Sequence, residues 1–110
     1  MRSATAREVP QNVFAAAWQD GAYVVDVREP HEYVAGHVPG ARLIPRSTLD
    51  RAAADLPHDL AVYVICASGN RSLRAATSLA AAGIDAVSVA GGTSAWQSAG
   101  RPIVVGAKVA

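Results

Sequence analysis

The one cysteine of this chain, Cys66, closes the apolar run Val62-Tyr63-Val64-Ile65 and is followed at once by Ala67-Ser68-Gly69-Asn70-Arg71-Ser72 and a helix-forming stretch. A strand that hands over to a helix through small and turn-forming residues lets successive backbone N–H groups face one concavity. The helix start adds roughly half a positive charge. Both favour thiolate over thiol, and cysteines so placed have pKa values of about 3.5 to 7.5 in place of about 8.5. The chemistry this pattern offers is nucleophilic attack by sulfur, with Cys66 as the nucleophile and Ala67, Ser68, Gly69, Asn70, Arg71 and Ser72 as the cradle. On position alone, a lone cysteine ending a hydrophobic strand is more often a small buried apolar residue. Arg71 and Arg74 shift the balance. Both are expected in the first turn of the following helix, where a cation opposes the macrodipole by roughly 0.3 to 1 kcal/mol. An anion held above the helix start offsets that repulsion and gives a guanidinium a partner.

Other conspicuous residues read as structural. Asp26 follows an apolar run, where a carboxylate is more often found bracing turn N–H groups or pairing with an arginine than acting as an acid–base catalyst, and no catalytic role is assigned to it. His37, between Gly36 and Val38-Pro39-Gly40, is expected to make turn hydrogen bonds, and His31 and His58 to face solvent. Trp18 and Trp96 stand at helical spacing with alanines, as packing anchors do. Gly91-Gly92 suits a tight strand-to-helix turn with Thr93 or Ser94 as N-cap.

The elements that must position Cys66 follow from hydrophobic patterning. Tyr23 to Val27, Val62 to Cys66 and Ala86 to Val89 are short and β-branched, as strands buried on both faces are; Ala6 to Val9 and Ala41 to Ile44 are weaker candidates. Helix-compatible stretches lie between them: Pro10 to Gln19, Pro30 to Ala35, Thr48 to Leu56, Arg71 to Ala82 and Ser94 to Ala99. Strand and helix alternate throughout, which predicts an α/β fold with a mostly parallel sheet covered on both faces. Pro10 and Pro30 fit first helical positions, and Gly83 follows the apolar face of Leu73, Ala76 and Leu79 as a C′ residue does. In open α/β sheets ligands bind at the carboxyl ends of strands, which brings Cys66 and the loop after Val27 to one site.

With 110 residues, 51% of them hydrophobic, the chain is expected to form a single domain over 1–110. Ten basic and nine acidic residues are interspersed, and the few aromatics are not interleaved with Lys or Arg, so nucleic-acid binding is not expected. A single cysteine makes no disulfide framework, and three histidines make no metal-ligand pattern. A reducing cytosol fits. Met1 to Glu8 lacks the apolar core of a secretory signal and no run approaches a membrane span, so a soluble, cytoplasmic protein without membrane attachment is expected. The triplets Ala15-Ala16-Ala17, Ala52-Ala53-Ala54 and Ala80-Ala81-Ala82 read as helix interiors.

Four motifs in order resemble those of the rhodanese, or thiosulfate sulfurtransferase, family: Val25-Asp26-Val27-Arg28-Glu29, then Glu32-Tyr33 with Gly36-His37-Val38-Pro39-Gly40-Ala41, then Cys66 to Ser72, and last Gly91-Gly92-Thr93-Ser94-Ala95-Trp96 with Ala99-Gly100-Arg101-Pro102-Ile103. The resemblance implies a three-layer domain with a central, mostly parallel five-stranded sheet flanked by helices. It also implies an enzyme whose Cys66 takes sulfane sulfur from thiosulfate or another donor, becomes a persulfide, and delivers the sulfur to cyanide, a small thiol or a thiol protein. The N–H groups of Ala67 to Ser72 would hold the persulfide's charge, and neither metal nor organic cofactor is implied. Four residues separate Cys66 from Arg71, whereas related phosphatases use a longer loop, so sulfur is favoured over phosphate. Ala67 departs from many thiosulfate-using relatives, in which a basic residue follows the cysteine; Arg71, Arg74 and Arg28 remain as sources of positive potential. A persulfide relay between proteins and a non-catalytic interaction module are the alternatives, and the intact loop argues against the second.

Overall fold

Five short segments pair into one sheet in the computed structural model, which describes residues 6–110. They are β1 (Arg7–Val9), β2 (Tyr23–Asp26), β3 (Arg42–Leu43), β4 (Val62–Ile65) and β5 (Ala86–Val89), and the spatial order is β1-β5-β4-β2-β3. Every strand pairing is parallel. Parallel neighbours need crossovers, and these carry the helices α1 (Gln11–Gln19), α2 (Pro30–Ala35), α3 (Arg46–Ala52), α4 (Asn70–Ala81) and α5 (Gly92–Ser98). The amino-terminal stretch read above for a secretory core lies mostly outside the described residues. No helix among the described residues is long and apolar enough to cross a membrane.

Alternation along β4 divides the core. Val62, Val64 and Cys66 face one side and join Leu49 of α3 and Ala75, Ala76 and Leu79 of α4. Ile65 faces the other side with Phe14 of α1 and Trp96 of α5. Phe14 and Trp96 are fully buried, and burial of such side chains stabilises by roughly 1.5 to 3 kcal/mol each. β4 is the central strand, so Cys66 emerges from the best-supported part of the sheet.

Several boundaries differ from the pattern-based expectation. β3 has two residues, not Ala41 to Ile44, because Pro45 brings no N–H to a ladder and instead stands, extended, as the N-cap of α3. That helix therefore begins at Arg46, ahead of Thr48, and gives way to a 3-10 turn at Ala53–Asp55. Pro10 is the N-cap of α1, one place before the first helical position; Pro30 is the first residue of α2 as expected. Leu73 is not on the buried face of α4. That face is Ser72, Ala75, Ala76 and Leu79, and Leu73 is 37% exposed. Gly83 does close α4 with positive φ, its N–H bonding Ala80 O while the N–H of Ile84 bonds Leu79 O.

Candidate active site

Cys66 sits between β4 and α4, 1% exposed, with its Sγ 3.1 Å from the N–H of Gly69 and 3.5 Å from Ser72 Oγ. Burial pushes the thiol's pKa up, but hydrogen bonds from the Ser72 hydroxyl and from the N–H groups of Ser72, Gly69 and Ser68 outweigh it, and the net shift is downward. Of the loop residues, Gly69 thus donates its N–H to Sγ and Ser72 brings its hydroxyl beside it, at the positive end of a 12-residue helix. Ala67 and Asn70 take other parts. The carbonyl of Ala67 accepts from the N–H of Ser94, and Asn70 is exposed at the first position of α4.

Gly69 makes the loop possible. Its φ of +110° is left-handed, and a Cβ there would lie 3.1 Å from Gly91 N. Gly69, not a side chain, caps α4, which leaves the following N–H groups free of a capping oxygen. The β5–α5 turn then braces the loop from behind. The N–H and the hydroxyl of Thr93 both donate to Cys66 O, at 2.8 and 3.0 Å. This corrects the expectation that Thr93 or Ser94 caps α5: the helix begins earlier, at Gly92, with Gly91 as N-cap, so both residues lie inside it. Thr93 turns instead to the carbonyl of the cysteine. Gly92 allows this closeness, since a Cβ on it would stand 2.7 Å from Ala67 O.

Arg71 lies in the first turn of α4, as expected, and the three arginines have different partners. Arg71 is bound by Glu32, with both guanidinium nitrogens 2.8 Å from the two carboxylate oxygens. Arg71 holds the Glu32 carboxyl at about 2, below its usual 4.5, although partial burial opposes the shift. The guanidinium's partner in the structure is a carboxylate of α2, 39 positions away in sequence. Arg74 lies beyond the first turn of α4 and is exposed. Arg28 is buried against Asp26, its Nε and second terminal nitrogen meeting both carboxylate oxygens at 2.9 to 3.2 Å while the same terminal nitrogen donates to Gly36 O. Asp26 also accepts from the N–H of Arg28, so it both braces the turn and pairs with an arginine. A buried pair of this kind holds its geometry, and its charge is not available to a ligand.

His37 is fully buried, stacked on the Tyr33 ring at 3.6 Å, with its ring nitrogens 2.8 and 2.7 Å from Tyr33 O and Lys108 O. It ties the carboxyl-terminal segment to the loop after α2. His31 and His58 are exposed, and among the described residues no cluster of His, Cys, Asp or Glu is arranged to hold a metal ion.

Three residues that the sequence did not assign to the site complete it. Glu32 fixes Arg71, Thr93 fixes the cysteine's carbonyl, and Ser88 of β5, fully buried, places its hydroxyl 2.8 Å from Ser72 Oγ. A polar residue in a run of otherwise apolar strand residues was the one available signal for Ser88.

Comparison with known proteins agrees with this geometry. The family model described as rhodanese-like domain matches residues 5–99. An uncharacterized protein of Synechocystis is 34% identical over 96 residues, which are 86% of this chain and 54% of that protein, so the chain spans about half the length of this curated relative. Among solved structures, a rhodanese-related protein from Thermoplasma volcanium superposes with a TM-score of 0.84 at 34% identity, covering 90% of this chain and 98% of that one. A thiosulfate sulfurtransferase from Pseudomonas aeruginosa gives a TM-score of 0.80 at 26% identity, covering 94% of this chain and 21% of that one.

Proposed function

Since this chain belongs to the rhodanese-like domain family, we propose that it is a sulfurtransferase that carries sulfane sulfur on Cys66. The observation that supports this most is the surroundings of Sγ: the Gly69 N–H donates to it at 3.1 Å and the Ser72 hydroxyl lies 3.5 Å away, and hydrogen bonding from this loop lowers the thiol's pKa against burial. The resemblance to a thiosulfate sulfurtransferase supports it independently.

In the first half-reaction the Cys66 thiolate attacks the outer sulfur of the donor. A bond forms between Sγ and that sulfur, the donor's own S–S bond breaks, and the leaving group departs with the electron pair, as sulfite when the donor is thiosulfate. The persulfide's terminal sulfur carries the negative charge and is held by loop N–H groups, which are fixed before the reaction begins. In the second half-reaction an acceptor such as cyanide or a thiol attacks the terminal sulfur, and Cys66 leaves as thiolate. Because Cys66 is 1% exposed, reaction is restricted to donors whose sulfane sulfur is terminal and unhindered.

A second reading has its own support. Arg71 is engaged by Glu32, Arg28 by Asp26, and an alanine follows the cysteine, which weakens the case for a dianionic donor. A persulfide on a small thiol or a partner protein, which needs less positive charge, is then the donor, and the chain is a relay. Thiocyanate formation from thiosulfate and cyanide tests the first reading. Robust turnover that is lost in Cys66→Ser is the expected result, and no turnover with thiosulfate but turnover with a thiol persulfide would favour the relay. No turnover with either donor would contradict both.

A further inference from the structure

Ser88 is a hydroxyl in a strand buried at every position, and it is 0% exposed. Burial of a hydroxyl is tolerated when it is hydrogen-bonded. Among the described residues its one side-chain hydrogen bond is to Ser72 Oγ, at 2.8 Å. Ser88 pairs in register with Val64 and stands two residues from Ala86, both of which pack in the same cluster as Cys66, so it shares their face, the α4 side of the sheet.

Donor and acceptor counting fixes the direction of this bond. Ser72 Oγ donates its own hydrogen to Gly69 O at 3.1 Å. Among the described residues Ser88 Oγ has no other hydrogen-bond partner, and with the Ser72 hydrogen given to Gly69 O the Ser88 hydrogen goes to Ser72. Ser72 Oγ then accepts from Ser88 and, when the cysteine is protonated, from the Cys66 thiol at 3.5 Å. Loss of the thiol proton reverses one bond. A lone pair of Ser72 aimed at an anionic sulfur is repulsive, so the Ser72 hydroxyl turns its hydrogen from Gly69 O to Sγ. The bond from Ser88 is kept in both states, and a hydroxyl that accepts one hydrogen bond is a stronger donor of the next.

From this geometry we infer that Ser88 is a positioning residue for the Cys66 anion: it orients and polarises the Ser72 hydroxyl, which then stabilises the thiolate and the persulfide. The inference rests on the reading of Cys66 as the sulfur carrier, but its test is independent of sulfur transfer. Cys66 is the only cysteine, so ultraviolet titration of the thiolate reports this residue alone once the Cys66→Ser variant is subtracted as the tyrosine background.

The experiment compares the parent with Ser88→Ala, Ser72→Ala and the double variant, with urea unfolding as a control for folding. Ser88→Ala is expected to raise the titration midpoint by roughly 0.1 to 0.3 pH unit, the ~10–30% by which an accepted hydrogen bond strengthens the next one, since Ser88 donates nothing to Sγ itself. Ser72→Ala is expected to raise it at least as far, and the double variant to match Ser72→Ala, because Ser88 acts through Ser72. A midpoint unmoved by Ser88→Ala, whatever the change in stability, would overturn the inference. So would an equal shift from Ser88→Ala when Ser72 is already alanine. The mass of the parent after treatment with a sulfur donor reads the carrier assignment separately: a shifted midpoint without added sulfur would retain Ser88 in its role and remove the sulfurtransferase reading.

Discussion

Two strand-to-helix junctions lie on neighbouring strands at the carboxyl edge of the sheet. β4 passes to α4 through Gly69, and β5 passes to α5 through Gly91; each glycine is a left-handed N-cap without a side-chain cap. The two differ in where the first N–H groups of the helix go. In the β5 junction those of Thr93 and Ser94 bond the carbonyls of Cys66 and Ala67. In the β4 junction the N–H of Gly69 is turned on a sulfur atom, and the backbone of Ser68 and Ser72 also lowers that sulfur's pKa. One junction uses its donors to hold a backbone in place, and the other keeps them for a side chain that changes charge. A loop can present donors to an anion only if something else fixes its carbonyls, and here the adjacent turn does so.

This contrast breaks first at Gly92. Alanine there would place a Cβ against the carbonyls of Cys66 and Ala67 at a φ of +55°, so Gly92→Ala is expected to destabilise by more than about 4 kcal/mol, or to prevent folding, as measured by urea unfolding or soluble yield. Gly69→Ala comes next. Its φ of +110° and the 3.1 Å approach to Gly91 N predict a loss of about 1 to 3 kcal/mol. It also predicts a higher Cys66 pKa, read from the pH dependence of alkylation, because the 3.1 Å donor moves. Thr93→Val removes one of two donors to Cys66 O and should destabilise by about 1 kcal/mol, with a smaller effect on alkylation than Gly69→Ala. If Thr93→Val altered sulfur reactivity more than Gly69→Ala, the division into brace and cradle would be wrong.

The smallest effect is expected at the partly exposed Glu32–Arg71 pair, where Glu32→Gln should change stability at neutral pH by about 0 to 1 kcal/mol. Its pH dependence is more informative. The carboxyl's folded pKa of about 2 lies below its ordinary 4.5, so its contribution is present above about 4.5 and is lost as pH falls towards 2. Urea unfolding across that range should show a steeper loss for the parent than for Glu32→Gln. Parallel curves would mean that the pair contributes nothing to the fold.

The alternation of apolar strands with alanine-rich helices was legible in the sequence because strands buried on both faces are nearly continuous in Val and Ile. The placement of Cys66 was legible for the same reason: the apolar run stops there and glycine follows. Residues that meet through the fold were not. Glu32 and Arg71 are 39 positions apart, and nothing local to either marks the other. Ser88 reads as a neutral strand residue until β5 is placed beside β4 and α4 is laid over it. Thr93 carries the composition of a helix cap, and only the early start of α5 at Gly92 releases it for Cys66. Arg71 shows the same limit: a cation near a helix start suggested an anion, and the side chain that meets it is Glu32 of α2, distant in sequence.

The central claim is that Cys66 carries sulfur, and intact-mass measurement tests it most directly. After incubation with thiosulfate or a small-thiol persulfide and removal of the donor, the parent is expected to gain the mass of one sulfur atom, released again by cyanide, while Cys66→Ser gains nothing. An unchanged mass with both donors, or a gain that persists in Cys66→Ser, would contradict the account.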